Sequence, residues 1–193
     1  MGVLERLRMA VDTARYTDFA FAREGATAYA IRDFDCDNLA ELLLASVAGN
    51  GKNAYTLTLD LYKLAGGEIR LADSRAFENV LLPGTEMQVV LVKQGGRELI
   101  YFAERNMLLS ANVRSQALTV VDNKLTGVTL TPSSAYDTSP LLVAGADAQG
   151  NVILQDYSGL DAENVETPDV KDAASSIVLV LITIIRSILR GNG

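Results

Sequence analysis

The chain of 193 residues contains no histidine and no tryptophan, and it has a single cysteine and four prolines. Without histidine there is no Ser-His-Asp or Cys-His nucleophile system, no histidine-ligated zinc and no imidazole base near neutral pH. The absence of tryptophan weakens the interpretation as a sugar-stacking lectin. Cys36 alone allows no internal disulfide, and no neighbouring histidine or basic cluster activates its thiol.

The net charge is −7, and the sequence does not concentrate its lysines and arginines into a patch. This balance argues against a nucleic-acid partner. Apolar residues make up 49% of the chain and charged residues 21%, which is typical of a globular protein with a real core. Residues 1–15 are charged throughout and lack the apolar centre of a secretory leader, so we expect no signal peptide there.

The first residues have the spacing of an amphipathic helix. Leu4, Leu7, Val11 and Ala14 recur at steps of three and four, with charged residues between them. The pattern predicts a helix over residues 1–16 that packs on a sheet. With the strands described next, it indicates a mainly β (α+β) fold.

Alternating apolar segments separated by turn residues predict a series of antiparallel hairpins. The turns fall near positions 37, 66, 95, 123 and 150, at intervals of about 29, 29, 28 and 27 residues. This spacing indicates a meander that forms a sheet, an open barrel or a propeller-like arrangement, built by duplication or by ordinary strand connections. The predicted strands are 27–31, 42–47, 55–62, 68–72, 87–93, 98–103, 117–121, 125–130, 141–144 and 152–155.

Three polar segments interrupt this series. Residues 73–84 predict a loop with a helical turn, and residues 131–140, rich in Ser, Thr and Pro, predict an exposed loop. The acidic stretch 156–172 predicts a surface linker. We therefore expect one β-rich domain over residues 1–172.

Residues 173–193 form an apolar C-terminal segment, which we expect to pack on the same domain. The uncharged run 173–185 is shorter than the roughly 20 residues of a spanning helix. Three structures of this segment stay possible alternatives. It could be a buried strand, a buried helix that ends near Arg186, or a helix of residues 173–190 that lies on a membrane or a partner. Self-association through this segment is a further alternative.

The main candidate site is an acidic stretch that begins after residue 32. Hard cations such as Ca²⁺ bind six to eight oxygens on a short, sharply folded loop. Here carboxylates occupy positions 1, 3, 5 and 9, the carbonyl at position 7 is a further ligand, and position 6 requires a residue that tolerates positive φ. The predicted ligands are Asp33, Asp35, Asp37, Leu39 (through its carbonyl) and Glu41, with Asn38 at position 6.

Position 12 of this stretch is Leu44, where an EF-hand has glutamate, so the loop is shorter than an EF-hand. An alternative is that the aspartates only make Asx turns and face water. Their mutual repulsion favours an ion. A carboxylate-dependent hydrolase that uses Asp33, Asp35 or Glu41 is another alternative.

Residues 29–43 resemble the calcium loop of FG-GAP/VCBS-type repeats. They are similar to a segment of surface and secreted proteins of gut Firmicutes, Tyr-Ala-x-x-Asp-x-Asp-x-Asp-Gly-x-x-Glu-Leu-Leu. Asn38 stands where that pattern has glycine, and Cys36 stands where a small polar residue is common. A loop that kept its fold and lost its ion is therefore an alternative.

The resemblance implies a calcium-stabilised, non-catalytic structural or binding module of a bacterial surface or secreted protein. Its place would be extracellular or at the cell surface, and its partner a protein or a cell-surface ligand. The main alternative is a membrane-associated protein anchored by residues 173–190.

Overall fold

The computed structural model describes residues 15, 16, 19, 28–50, 54–130 and 137–156, and the last three ranges form an antiparallel β structure. The prediction of a mainly β chain is thereby confirmed. The ten strands are β1 (Ala28–Arg32), β2 (Glu41–Gly49), β3 (Tyr55–Ala65), β4 (Glu68–Val80), β5 (Thr85–Gln94), β6 (Arg97–Asn106), β7 (Ala111–Val121), β8 (Lys124–Val128), β9 (Asp137–Ala146) and β10 (Val152–Asp156).

The strands divide into two sheets. The first has the order β1-β2-β3-β4, and the second has the order β10-β9-β5-β6-β7-β8. The chain leaves the first sheet after β4, and β9 returns to pair with β5 instead of extending the row beyond β8. Regular turn spacing predicted a single sheet, an open barrel or a propeller-like arrangement, and it did not reveal this division.

One hydrophobic core joins the inner faces of the two sheets. Every second residue of β5, from Met87 through Val89 to Leu91, is buried, as expected for a strand with one face in the core. Across the interface, Phe77 of β4 stacks on Phe102 of β6 with ring centroids 4.3 Å apart. Burial of each such side chain stabilises the fold by about 1.5–3 kcal/mol.

The outer face of the first sheet is also apolar and covered. Leu42 and Leu44 point away from the main core and pack with Tyr16 and Tyr62 in a second cluster. Phe19 lies on Tyr62 with ring centroids 4.9 Å apart. Strand β2 is therefore buried on both faces where it follows the acidic stretch.

The helix predicted for residues 1–16 is not supported. Residues 1–14, which carry the pattern of apolar residues, lie outside the described part of the chain. Of the residues that follow, the structure describes Arg15, Tyr16 and Phe19, and Tyr16 is fully buried.

Two-residue turns close three of the hairpins at predicted positions. Gly66-Gly67, Gly95-Gly96 and Asp122-Asn123 have positive φ at both residues, between 50° and 82°. This is the type I′ geometry, whose twist matches that of the flanking strands. Glycine, asparagine and aspartate are the residues that tolerate it, which is why the sequence located these turns.

The loop predicted for residues 73–84 is wrong over most of its length. Strand β4 continues to Val80, and the turn is confined to residues 81–84, where Leu81 has a φ of 53°. Because β4 is an edge strand, most of its polar side chains face water, while Phe77 and Val80 are buried. The polar residues of this segment predicted a loop, but they are the solvent-facing residues of an edge strand.

The exposed loop predicted for residues 131–140 is wrong at its end. Residues 131–136 are not described, but residues 137–140 are the first part of β9. Pro140 lies where the β5–β9 register shifts, between Val89 and Val90. Strand β10 pairs only with residues 142–146, so Pro140 lies on an unpaired edge on that side among the described strands.

A buried carboxylate fixes the passage between the sheets. Glu104 is 1% exposed and accepts hydrogen bonds from the backbone N–H of Leu81 (3.1 Å) and from Arg114 Nε (2.8 Å). Arg114 also donates to the carbonyl of Glu78 at 2.7 Å. These charge-assisted bonds hold the end of β4 against β6 and β7.

The C-terminal predictions lie outside the described residues. Asp156 ends β10, and the linker expected to follow it, together with the segment 173–193, is not described. Over the residues that are described, no helix is long and apolar enough to cross a membrane.

Candidate cation site at the β1–β2 loop

The acidic stretch forms the loop between two paired strands. Residues 33–40 connect β1 with β2, and the last residue of β1, Arg32, pairs with the first residue of β2, Glu41. Antiparallel pairing therefore fixes both ends of the loop, because the strands beside it are held in a defined register.

Three of the predicted ligands converge. Asp33, Asp35 and Asp37 each present one carboxylate oxygen such that all three oxygens lie within 4.8 Å of one another. Ca²⁺ binds oxygens at about 2.3–2.6 Å, so oxygens on opposite sides of one ion lie up to about 5 Å apart. The spacing of the three aspartates is therefore compatible with a shared cation.

Two residues in the left-handed region fold the loop. Asn38 has a φ of 69°, as predicted for position 6, and Cys36 has a φ of 64°, which was not predicted. Asparagine adopts this region more readily than other non-glycine residues. Cys36 is exposed and carries a free thiol.

The aspartates also bind the backbone of their own loop. Asp33 accepts hydrogen bonds from the N–H groups of Asp37 (3.1 Å) and Asn38 (2.9 Å) through its two oxygens. Asp35 Oδ1 accepts a bond from the N–H of Asp37 (3.2 Å), and Asp37 Oδ1 accepts one from the N–H of Leu39 (2.8 Å). These are the Asx-type bonds of the alternative without an ion. Leu39 takes part in the site through this N–H. The ligand role of its carbonyl stays a prediction.

A lysine that sequence reasoning missed lies among the carboxylates. Lys63 Nζ donates to Asp35 Oδ2 at 2.6 Å and to Asp37 Oδ2 at 2.8 Å, and it lies 3.5 Å from Glu41 Oε1. All six oxygens of the three aspartates therefore accept a hydrogen bond from the chain. Each of these oxygens can still accept a further bond, because a carboxylate has about four lone-pair sites.

Strand pairing explains the position of Lys63. Tyr62 of β3 pairs with Leu42 of β2, so Lys63 is one residue further along, beside the start of β2. The motif of residues 29–43 does not contain this position. The signal that could have found it is the pairing of consecutive strands β2 and β3, which brings a lone lysine to the acidic end.

Glu41 is the fourth carboxylate and lies outside the trio. Its side chain is fully buried, and Oε2 accepts a hydrogen bond from the N–H of Phe34 at 2.9 Å. Oε1 is buried and accepts no hydrogen bond within the described part of the chain. Burial, followed by the negative charge of Asp35, raises the pKa of Glu41 to about 7.

The other ionisable groups respond to the same cluster. Partial burial works to raise the pKa of Asp37, but the hydrogen bond and charge of Lys63 hold it below the usual range. Partial burial works to lower the pKa of Lys63, but its hydrogen bonds with Asp35 and Asp37 raise it above the usual range. Lys63 and Asp37 therefore both stay charged at neutral pH.

The hydrolase interpretation requires two carboxylates on either side of a bond, typically at least about 5 Å apart. Asp33, Asp35 and Asp37 instead each place one oxygen within 4.8 Å of the others. A shallow pocket on the second sheet is lined by other residues, including Tyr101, Gln116, Gly127 and Leu130. The geometry of the aspartates fits one small ion better than two faces of a substrate.

A second aspartate loop lies between β9 and β10. Asp147 Oδ1 accepts hydrogen bonds from the N–H groups of Gln149 (2.9 Å) and Asn151 (2.8 Å), and Gly150 has a φ of 84°. Its other oxygen accepts a bond from the side-chain amide of Asn151 at 2.8 Å. This hydrogen bonding lowers the pKa of Asp147. The sequence predicted a turn here but did not predict its likeness to the acidic loop.

Comparison of the chain with models of protein families, with curated proteins and with solved structures finds no match.

Proposed function

We propose that the chain is a non-catalytic structural module in which the β1–β2 loop binds Ca²⁺. The observation that carries this proposal is the convergence of Asp33, Asp35 and Asp37 oxygens within 4.8 Å on a loop with fixed ends. The ion would stabilise the start of β2, the strand that is buried on both faces. Its contribution would be to stability, because an ion that binds only the folded state favours that state.

The charge of the site supports this proposal. Among the described residues, four carboxylates face one ammonium group, that of Lys63, which contacts three of them. Like charges at such distances repel and disfavour the ionised state, and the charge of Asp35 adds to the larger effect of burial in raising the pKa of Glu41. A divalent cation would offset the repulsion that one lysine leaves.

An extracellular or cell-surface location follows from the same proposal. Asp37 is exposed, and the carboxylates already bind backbone N–H groups and Lys63. Such a site would bind Ca²⁺ weakly, in the range of about 10⁻⁴–10⁻³ M known for extracellular modules. A protein or cell-surface ligand and self-association stay predictions that no described contact tests.

The experiment is calorimetric melting of the full chain in millimolar Ca²⁺ and in EDTA. At a tenfold excess of free ion over the dissociation constant, binding adds about 1.4 kcal/mol, so we expect Tm to rise by about 3–6 °C. Asp35→Asn should abolish the response, since it removes the charge of a predicted ligand.

The matched control is Asp147→Asn, which makes the same change in the β9–β10 loop. It should leave the Ca²⁺ response intact. Equal Tm values for the unmodified chain in Ca²⁺ and in EDTA would remove the proposal.

A further inference from the structure

We propose that Lys63 is a built-in competitor of the cation, so that Ca²⁺ binds the β1–β2 loop only when the lysine ammonium leaves it. This inference rests on the proposed calcium site and adds how that site is controlled. It makes Lys63, which lies on β3 outside the acidic motif, the residue that sets the affinity of the loop.

The first argument is that both cations use the same atoms. Lys63 Nζ lies 2.6 Å from Asp35 Oδ2 and 2.8 Å from Asp37 Oδ2. Ca²⁺ requires similar distances to the same oxygens, about 2.3–2.6 Å. An ion between these two aspartates would therefore overlap the volume that the ammonium group occupies, and the two positive charges would repel each other.

The second argument comes from Glu41, which points to a ligand independently of the aspartates. Its side chain is fully buried, and Oε1 accepts no hydrogen bond from the described residues. Among the described residues it forms an ion pair with Lys63 Nζ, at 3.5 Å. A buried carboxylate oxygen left without a hydrogen bond is costly, and a divalent ion at the loop would compensate its charge more fully than the single charge of Lys63 does.

The third argument is that Lys63 can leave. Its side chain is 19% exposed, so the ammonium group is at the boundary of the site and not enclosed in the core. Lysine carries its charge on a flexible four-carbon stem, which can place the ammonium group in water while the stem stays on the protein. Departure therefore requires rotation of one side chain and no change in the sheet.

The first test is calorimetric titration of Ca²⁺ into the full chain, into Lys63→Met and into Lys124→Met. Lys124 is an exposed lysine of β8, so its substitution makes the same charge change away from the loop. We expect Lys63→Met to bind Ca²⁺ at least about tenfold more tightly than the unmodified chain, because it removes a like charge within contact distance. Lys124→Met should bind as the unmodified chain does.

A second measurement needs no variant and decides the matter if Lys63→Met does not fold. The full chain is reductively methylated in Ca²⁺ and in EDTA, and the modification of each lysine is followed by mass spectrometry. We expect Lys63 to react faster in Ca²⁺, because the ion releases its ammonium group, while Lys124 reacts equally in both.

The outcomes separate the two proposals. Binding of Ca²⁺ with equal affinity to the unmodified chain and to Lys63→Met, or Lys63 methylation that does not change with Ca²⁺, would overturn the competition and leave the calcium site. Absence of Ca²⁺ binding to all three proteins would overturn the calcium site and the competition together.

Discussion

The loops after β1 and after β9 start alike and differ in charge. In each, an aspartate that directly follows a strand, Asp33 or Asp147, accepts a hydrogen bond from the N–H group four residues later. In each, the residue three positions after that aspartate has positive φ, 64° at Cys36 and 84° at Gly150. The first loop adds two more aspartates, while the second has amide side chains at the corresponding positions.

The second loop shows that this turn needs no metal ion. Asp147 is satisfied by two backbone N–H groups and by the amide of Asn151. The hydrogen bonds of Asp33 are therefore not evidence for an ion by themselves. What distinguishes the first loop is the convergence of carboxylates, the buried Glu41 behind them and the presence of Lys63.

The largest expected difference between the loops is in their dependence on pH. Burial raises the pKa of Glu41 from 4.5 to about 7, so the folded state binds this proton more tightly than the unfolded state. The contribution of this proton to the free energy of unfolding is full below about pH 4.5 and is lost as pH rises to about 7. The free energy of unfolding should fall by about 3 kcal/mol over this range. Urea denaturation in EDTA across this range should show the decline.

Glu41→Gln is the control, because Glu86 and Glu98 also have pKa values raised by burial and give slopes of the same sign. The variant should lose the larger part of the decline. Asp147 has a lowered pKa, so its contribution is lost only as pH falls below its ordinary range. A Glu41→Gln slope equal to that of the unmodified chain would contradict the prediction.

Removal of the internal partner should have the next largest effect. In EDTA, Lys63→Met leaves four carboxylates without a cation, and we expect a loss of about 2 kcal/mol in the free energy of unfolding. This loss is smaller than the loss expected on breaking a fully buried ion pair, because the Asp37 side chain is 41% exposed. Denaturant titration measures it.

Asn151→Ala is the corresponding change in the second loop, since it removes the side chain that binds Asp147. Its effect should be smaller, because Asp147 is fully exposed and keeps its two backbone bonds. A larger loss for Asn151→Ala than for Lys63→Met would show that charge does not distinguish the loops.

The smallest expected effect is an exchange of glycine between the loops. Cys36→Gly should stabilise the chain by about 0.5–1 kcal/mol, because glycine adopts the φ of 64° without strain. Gly150→Ala should destabilise it by a similar amount. A Cβ at Gly150 would meet only Pro83 Cγ at 3.8 Å, which is an ordinary contact. The loss of stability in Gly150→Ala therefore reports backbone strain and not a steric clash. Thermal melting with the same sign for both variants would contradict this.

Sequence reasoning found the elements whose signals are local. Two-residue turns such as Gly66-Gly67 and Asp122-Asn123 require positive φ, which few residue types accept, and the strands beside them alternate. The converging aspartates and the positive φ of Asn38 were also predicted, because position within a short loop largely determines direction.

The errors involve contacts between residues that are distant in sequence. The polar part of β4 is a strand because β3 pairs with it and the second sheet covers its inner face, which no local pattern records. Pro140 is tolerated in β9 because it lies at the register shift with β5 and beyond the residues that pair with the described part of β10. Lys63 joins the site through the pairing of β2 with β3, and the division into two sheets depends on the return of β9 to β5.

The exposed position of Cys36 has a practical consequence. It is the chain's single cysteine, and it lies between two of the converging aspartates. A maleimide fluorophore would therefore attach at one defined and exposed place, within the loop itself. Its emission would report rearrangement of the surrounding side chains in real time, without an engineered labelling position.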